Sequence, residues 1–328
     1  MPNYTNDARV VWKMLNGLFV IYKPVNVPLL LSRKTICKNL CADLNNMKVR
    51  PPDPYVLIEG ESNKQLTVSV RSSYADNILV VGPRYQESDI RINYANHLQQ
   101  NSSGIIVCGL NNGTKLAYKL KQTNSTRSYR IKGILGQATD NCFITGRIVE
   151  KSNYKFLRRS HIDRICAAMQ SSHQKKMFEL CGVDIQSQAA YELAVKGLIR
   201  PVDNNVPMIY SIKCVNFIPP EFTLEIVCIN EDEKYFTTLI NELGMELRST
   251  ATCSQIQCFQ YGLFNLNHAL LSKHWNLQNI MKNLENSEKI LEENPHLLNQ
   301  YHPNLIQKED VSLIESQERQ YLLESREN

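Results

Sequence analysis

Apolar residues in this chain recur at two different periods, and the switch between them sorts the sequence into helices and strands. Ile36, Leu40 and Leu44 stand four apart within a basic tract, so residues 32–50 predict an amphipathic helix that stops at Pro51-Pro52. Thr114 is expected to cap a short helix with Leu116, Ala117 and Leu120 inward and Lys115, Lys119 and Lys121 outward. Ser160 is expected to cap a longer one that gathers Ile162, Ile165, Cys166 and Met169 on one face. Asn230 is expected to cap another, with Glu231-Asp232-Glu233 as its first turn, Phe236, Leu239, Ile240 and Leu243 as its core face, and Gly244 as its end.

Period two marks the strands. Phe222, Leu224, Ile226 and Cys228 alternate as in a half-buried strand, Ile105–Cys108 is a short unbroken apolar run of the buried kind, and residues 56–70 read as two strands around a polar turn. Helices and strands are mixed rather than strictly alternating, which predicts an α+β fold and not a doubly wound one. Two ends fall outside this scheme. Residues 1–15 place Val10, Val11 and Met14 on one helical face, but Asp7 offsets Arg9 and Lys13, so they make only a weak mitochondrial targeting segment. After Trp275 the pattern decays, and residues 281–328 are expected to be an acidic, frayed or disordered tail.

Charge changes the picture more than composition does. Residues 283–328 carry ten acidic and four basic side chains, so the preceding 282 residues hold 33 basic and 22 acidic ones. A basic body of this kind suits a polyanion, because neutralising phosphates releases counterions. Between Asp89 and Asp140 there is no Asp or Glu, while Arg91, Lys115, Lys119, Lys121, Arg127, Arg130 and Lys132 all fall there. The ten Cys form no C-x-x-C pair and read as small buried hydrophobes; Cys37 with Cys41, or Cys253 with Cys258, lacks a partner pair for a metal. No run of eighteen apolar residues predicts a membrane span.

Four segments carry the candidate chemistry: NGLFVIYKP (16–24), NHLQQNSSGIIVCG (96–109), RSYRIKGILGQATD (127–140) with GRIVEK (146–151), and AAYELAVKGLIRP (189–201). In this order they resemble the TruB family of pseudouridine synthases, nearest its mitochondrial branch in animals, over Asn16 to Leu271. The resemblance implies that residues 16–280 form a pseudouridine synthase domain, a central mixed, mainly antiparallel sheet flanked by helices. It also implies a reaction. The family detaches uracil from its ribose, turns it and reattaches it through C5, on a uridine flipped out of its RNA, without metal or organic cofactor. The implied partner is mitochondrial mRNA, tRNA or rRNA in the matrix, with RNA-processing proteins as further partners.

Carried over residue by residue, the resemblance exposes gaps. Counting four back from Ser103, the family's catalytic Asp falls on Gln99; its active-site Tyr falls on Tyr129; its partner Arg, six residues before Leu243-Gly244, falls on Thr237. The family's His maps to Asn96, with His97 one position on, and a later basic pair reads Gln257-Cys258. Lys115, Lys119, Lys121, Arg127, Arg130 and Lys132 are the expected RNA contacts. A carboxamide is neither basic nor usefully nucleophilic near neutral pH, so Gln99 predicts an RNA-binding homologue that does not isomerise uridine. Two alternatives stay open: a working synthase whose carboxylate comes from elsewhere, such as Asp89, Asp140 or Glu192, and a non-catalytic assembly factor for mitochondrial ribosomal RNA. They part on whether a carboxylate lies within hydrogen-bond reach of the position facing Tyr129.

Overall fold

The computed structural model describes residues 6–48, 53–195, 200–201, 206–295 and 305–306. In chain order, the first half comprises α1 (Ala8–Met14), β1 (Gly17–Lys23), α2 (Leu29–Asn45), the hairpin β2 (Tyr55–Glu59) and β3 (Thr67–Arg71), α3 (Ile78–Val81), β4 (Ile92–Tyr94), β5 (Ser102–Leu110), α4 (Thr114–Gln122) and β6 (Arg127–Leu135). There follow β7 (Gln137–Thr139), β8 (Ile148–Lys151), α5 (Arg159–Leu180), α6 (Gln188–Val195), β9 (Arg200–Pro201), β10 (Met208–Ile218), β11 (Glu221–Ile229), α7 (Glu233–Glu246), β12 (Ala251–Tyr261), β13 (Phe264–Asn265), α8 (Leu277–Glu293) and β14 (Leu305–Ile306).

The centre is an eight-stranded mixed sheet in the order β1-β5-β12-β6-β11-β10, with β13 beside β12 and β4 beside β5. All its pairs are antiparallel except β5 with β12. The α+β expectation holds. That parallel pair sets Cys258 opposite Gly104, whose φ is +130°. Any Cβ there would run into the Cys258 backbone, so only glycine lets the two strands close. Strand β5, which contains the apolar run Ile105–Cys108, is buried along all nine of its residues, between β1 and β12.

The helical stripes predict the core well. Ile36, Leu40 and Leu44 of α2 are buried, as are Ile162 and Cys166 of α5, and Phe236, Leu239, Ile240 and Leu243 of α7. Cap positions fare worse. Gly113 precedes α4, and Thr114 begins the helix with its Oγ1 donating to the Asn111 carbonyl at 2.7 Å. Arg158, not Ser160, precedes α5. Asp232, not Asn230, caps α7, accepting from the Tyr235 amide at 2.7 Å; Gly244 lies inside that helix, where its missing side chain makes room for Ala251 of β12.

Two further expectations are corrected. In α1 the buried face is Ala8 and Val11, while Val10 and Met14 face outward. Residues 281–293 are not a frayed tail. They complete α8, which buries Ile280, Met281 and Leu284 against β1. Asn283 explains why a polar sequence docks there: its Oδ1 accepts from the Val20 amide and its Nδ2 donates to the His268 carbonyl, each at 2.7 Å. Polar residues that hydrogen-bond inward do not announce themselves in a hydropathy pattern. Most of the segment beyond, and residues 1–5, lie outside the described residues.

Candidate active site

The loop from His97 to Asn101 links β4 to β5 and is pinned from two sides. On one side Lys23, wholly buried at the end of β1, donates from Nζ to the carbonyls of Pro24, Gln100 and Ser102 at 3.2, 3.3 and 2.7 Å. Burial pushes the Lys23 ammonium down to about 8, partly countered by the Glu233 carboxylate. On the other side Glu233, the first residue of α7, accepts from the Asn101 amide (3.1 Å), the Asn101 side chain (2.6 Å) and the Ser102 hydroxyl (2.9 Å). Asn96 is structural: its side chain donates to the Ile105 carbonyl and accepts from the Val107 amide, both at 3.0 Å.

Behind this loop lies a cavity of about 130 Å³. His97, Leu98, Gln99 and Ser102 line it from the loop, Arg127 and Tyr129 from β6, and Glu231, Asp232, Glu233 and Phe236 from the end of β11 and the start of α7. Gln99 and Tyr129, paired on resemblance, therefore share one cavity. The Tyr129 ring packs on Phe236 with centroids 4.6 Å apart, and burial, then the nearby Glu231 charge, hold its phenol well above its ordinary range. His97 is held below its ordinary value by desolvation and by the positive field of Lys23, Lys121 and Arg127.

Other expected residues are placed elsewhere. Thr237 is buried on α7 and does not line the cavity; its hydroxyl donates to the Lys234 carbonyl at 2.9 Å. Strand alternation puts Arg130 and Lys132 on the opposite face of β6 from Tyr129. Arg130 is there engaged by Glu225, at 3.1 and 2.6 Å, and lies 5.4 Å over the Phe259 ring. Lys115 and Lys119 line a separate open groove on α4 together with Asn93, Thr114, Tyr118 and Gln122, and Tyr118 stands 55 % exposed between them. Asp89, Asp140 and Glu192 do not line the cavity.

The residue that sequence reasoning missed is Glu231. Expected in the first turn of a helix, it sits before the cap, because Asn230 takes a left-handed φ of +57° and the helix starts two residues later than predicted. Its side chain is 1 % exposed, and its Oε1 accepts from Arg127 Nη1 and from the Tyr129 hydroxyl, each at 2.7 Å. The legible signal was Asp232, an equally good cap with Tyr235 three residues on.

A model of the TruB family pseudouridylate synthase N-terminal domain matches residues 85–233, a span that runs from before the loop to Glu233. The mitochondrial pseudouridylate synthase TRUB2 of Xenopus tropicalis is 38% identical over 277 residues, 82% of this chain and 85% of that protein. Its human counterpart is 38% identical over 275 residues, 81% of this chain and 82% of that protein. The mouse pseudouridylate synthase TRUB1 is 26% identical over 63% of this chain and 61% of its own length. With ordered motifs, a mixed sheet and relatives matched along most of both chains, this protein belongs to the TruB family of pseudouridylate synthases, on the side of its mitochondrial members.

Proposed function

We propose that this chain binds RNA in the mitochondrial matrix and takes a flipped-out uridine into the cavity between Gln99, Tyr129 and Phe236, without using residue 99 as nucleophile or base. The observation that supports this most is the shared cavity itself. A loop residue, a strand tyrosine and a helix phenylalanine from distant parts of the chain meet in one small cavity, walled by aromatic rings and lined by Arg127, with the charge of Lys121 felt at His97. Aromatic faces hold an unstacked base and cations hold its backbone. Gln99 is suited to hydrogen bonding with the base or ribose, since its amide both donates and accepts.

The groove around Tyr118, flanked by Lys115 and Lys119, continues the RNA path over α4. The mitochondrial compartment follows the names of the relatives, and messenger, transfer and ribosomal RNA are all eligible partners, with RNA-processing proteins beside them. A second reading, a non-catalytic clamp for mitochondrial ribosomal RNA, is favoured by two observations: an amide at position 99 and a threonine outside the cavity at position 237. Ultraviolet crosslinking of the full chain to 4-thiouridine-substituted RNA tests the shared claim. Crosslinked peptides should contain Tyr129 or Phe236; crosslinks confined to other surfaces would reject the cavity as the uridine site.

A further inference from the structure

The cavity that holds an amide where a carboxylate is expected also holds a carboxylate from another part of the chain. Glu231 reaches it from the β11–α7 turn, with its side chain almost wholly removed from solvent. One oxygen, Oε1, accepts from Arg127 Nη1 and from the Tyr129 hydroxyl. The other, Oε2, is buried with no hydrogen-bond partner, and so is Arg127 Nε. Leaving a buried charged oxygen without a donor costs roughly 1–3 kcal/mol or more. A buried unsatisfied group in a native structure calls for an explanation, and a catalytic role is one of the recognised ones.

We infer that Glu231 is the catalytic carboxylate of this protein, replacing the function that Gln99 has lost. The inference rests on the reading that the cavity receives a flipped uridine. Glu231 Oε2 attacks C1′ of the ribose as the C1′–N1 bond breaks, and the electron pair of that bond leaves with the uracil as its anion. The sugar is then esterified to Glu231. After the uracil turns, its C5 attacks C1′ and the C1′–Oε2 bond breaks, returning its pair to the carboxylate. The proton on C5 passes to water and N1 takes one from water, so the product is an isomer of uridine and Glu231 is regenerated.

Each neighbour has a part in this. Arg127, paired through Oε1, fixes the orientation of Glu231 while leaving Oε2 as the reacting atom. Tyr129 anchors the same Oε1 and presents its ring to the base. This arrangement also explains why a cation at position 237 is dispensable: the carboxylate it would orient has moved, and Arg127 is already beside the new one.

The test measures pseudouridine by mass spectrometry after incubating the full chain with total RNA from cells that lack it, with RNA binding measured in parallel. The native protein should form pseudouridine. Glu231→Gln should lower the rate by about four to six orders of magnitude with RNA binding retained. Should Glu231→Gln fail to fold because Arg127 loses its counter-charge, Glu231→Asp keeps the charge but withdraws it by one methylene, and should still cost about a hundredfold or more. Binding without any pseudouridine, or full activity in either Glu231 variant, overturns the assignment. Failure of the native chain to bind RNA at all would instead overturn the cavity reading beneath it.

Discussion

An amide is tolerable at position 99 because no cation in the cavity is left waiting for a carboxylate there. Arg127 is matched by Glu231, and Thr237 satisfies its own hydroxyl within α7. An arginine retained at a buried 237 beside a neutral Gln99 would stand to cost about 3–5 kcal/mol as an unpaired charge. Residue-scale logic also separates the cations that serve the fold from those that face outward. Arg127 and Arg130 are spent in ion pairs with Glu231 and Glu225, whereas Lys115 and Lys119 make no ion pair among the described residues and border the exposed ring of Tyr118. Tyr118→Ala should therefore weaken RNA binding by about 1–3 kcal/mol, as the loss of one stacked base does. Tyr118→Phe should keep it, and neither change should move the melting temperature. Equal affinity for all three proteins in a titration would take the α4 groove off the RNA path.

At the scale of elements, the stripes of apolar residues located helices reliably and the polar ends located them poorly. The reason is energetic. A stripe such as Ile36, Leu40 and Leu44 removes whole side chains from water, each worth about 1.5–3 kcal/mol, while neighbouring cap residues compete within about 1 kcal/mol of one another. A two-residue slip at α7 is thus cheap, yet it moved Glu231 from a helix face into the cavity. The same reasoning recovers α8, whose inward Asn283 pairs with Val20 and His268 in place of apolar contact. Asn283→Ala should destabilise the fold by about 1–3 kcal/mol by orphaning a buried amide and carbonyl, read as a lower urea midpoint. Truncation after Pro295 should leave that midpoint unchanged, while truncation after Lys282 should abolish the cooperative transition. Indifference to the cut after Lys282 would show that α8 is not part of the core.

Across the whole molecule the charge is divided between a body with 33 basic and 22 acidic residues and a C-terminal stretch with ten acidic and four basic. The fold then subdivides the basic set. Lys115 and Lys119 lie on α4, Lys121 is near enough to His97 to lower its basicity, and Arg127 lines the cavity. If RNA crosses this surface through about six phosphates, its affinity should fall by roughly three orders of magnitude between 50 and 200 mM salt, measured by fluorescence anisotropy at increasing KCl. A flat response would mean that the basic face is not the RNA surface.

Local pattern by itself determined the α+β class, the buried strand β5 and the helix cores, and the order of four motifs carried the resemblance to the family that assigned Gln99 and Tyr129 to one site. Those features rest on runs of neighbouring residues whose spacing carries the information. What only the tertiary structure decided is which side chains meet across distant segments. The sheet alternation that turns Arg130 and Lys132 away from Tyr129, the docking of α8 through hydrogen bonds, and the approach of Glu231 to Arg127 and Tyr129 all depend on strand register and on where a helix begins. A carboxylate-free tract from Asp89 to Asp140 implied that no nearby acid could replace the missing one. That reading concerns acids near in sequence; in space β11 pairs with β6 and brings Glu231 to the cavity from far downstream.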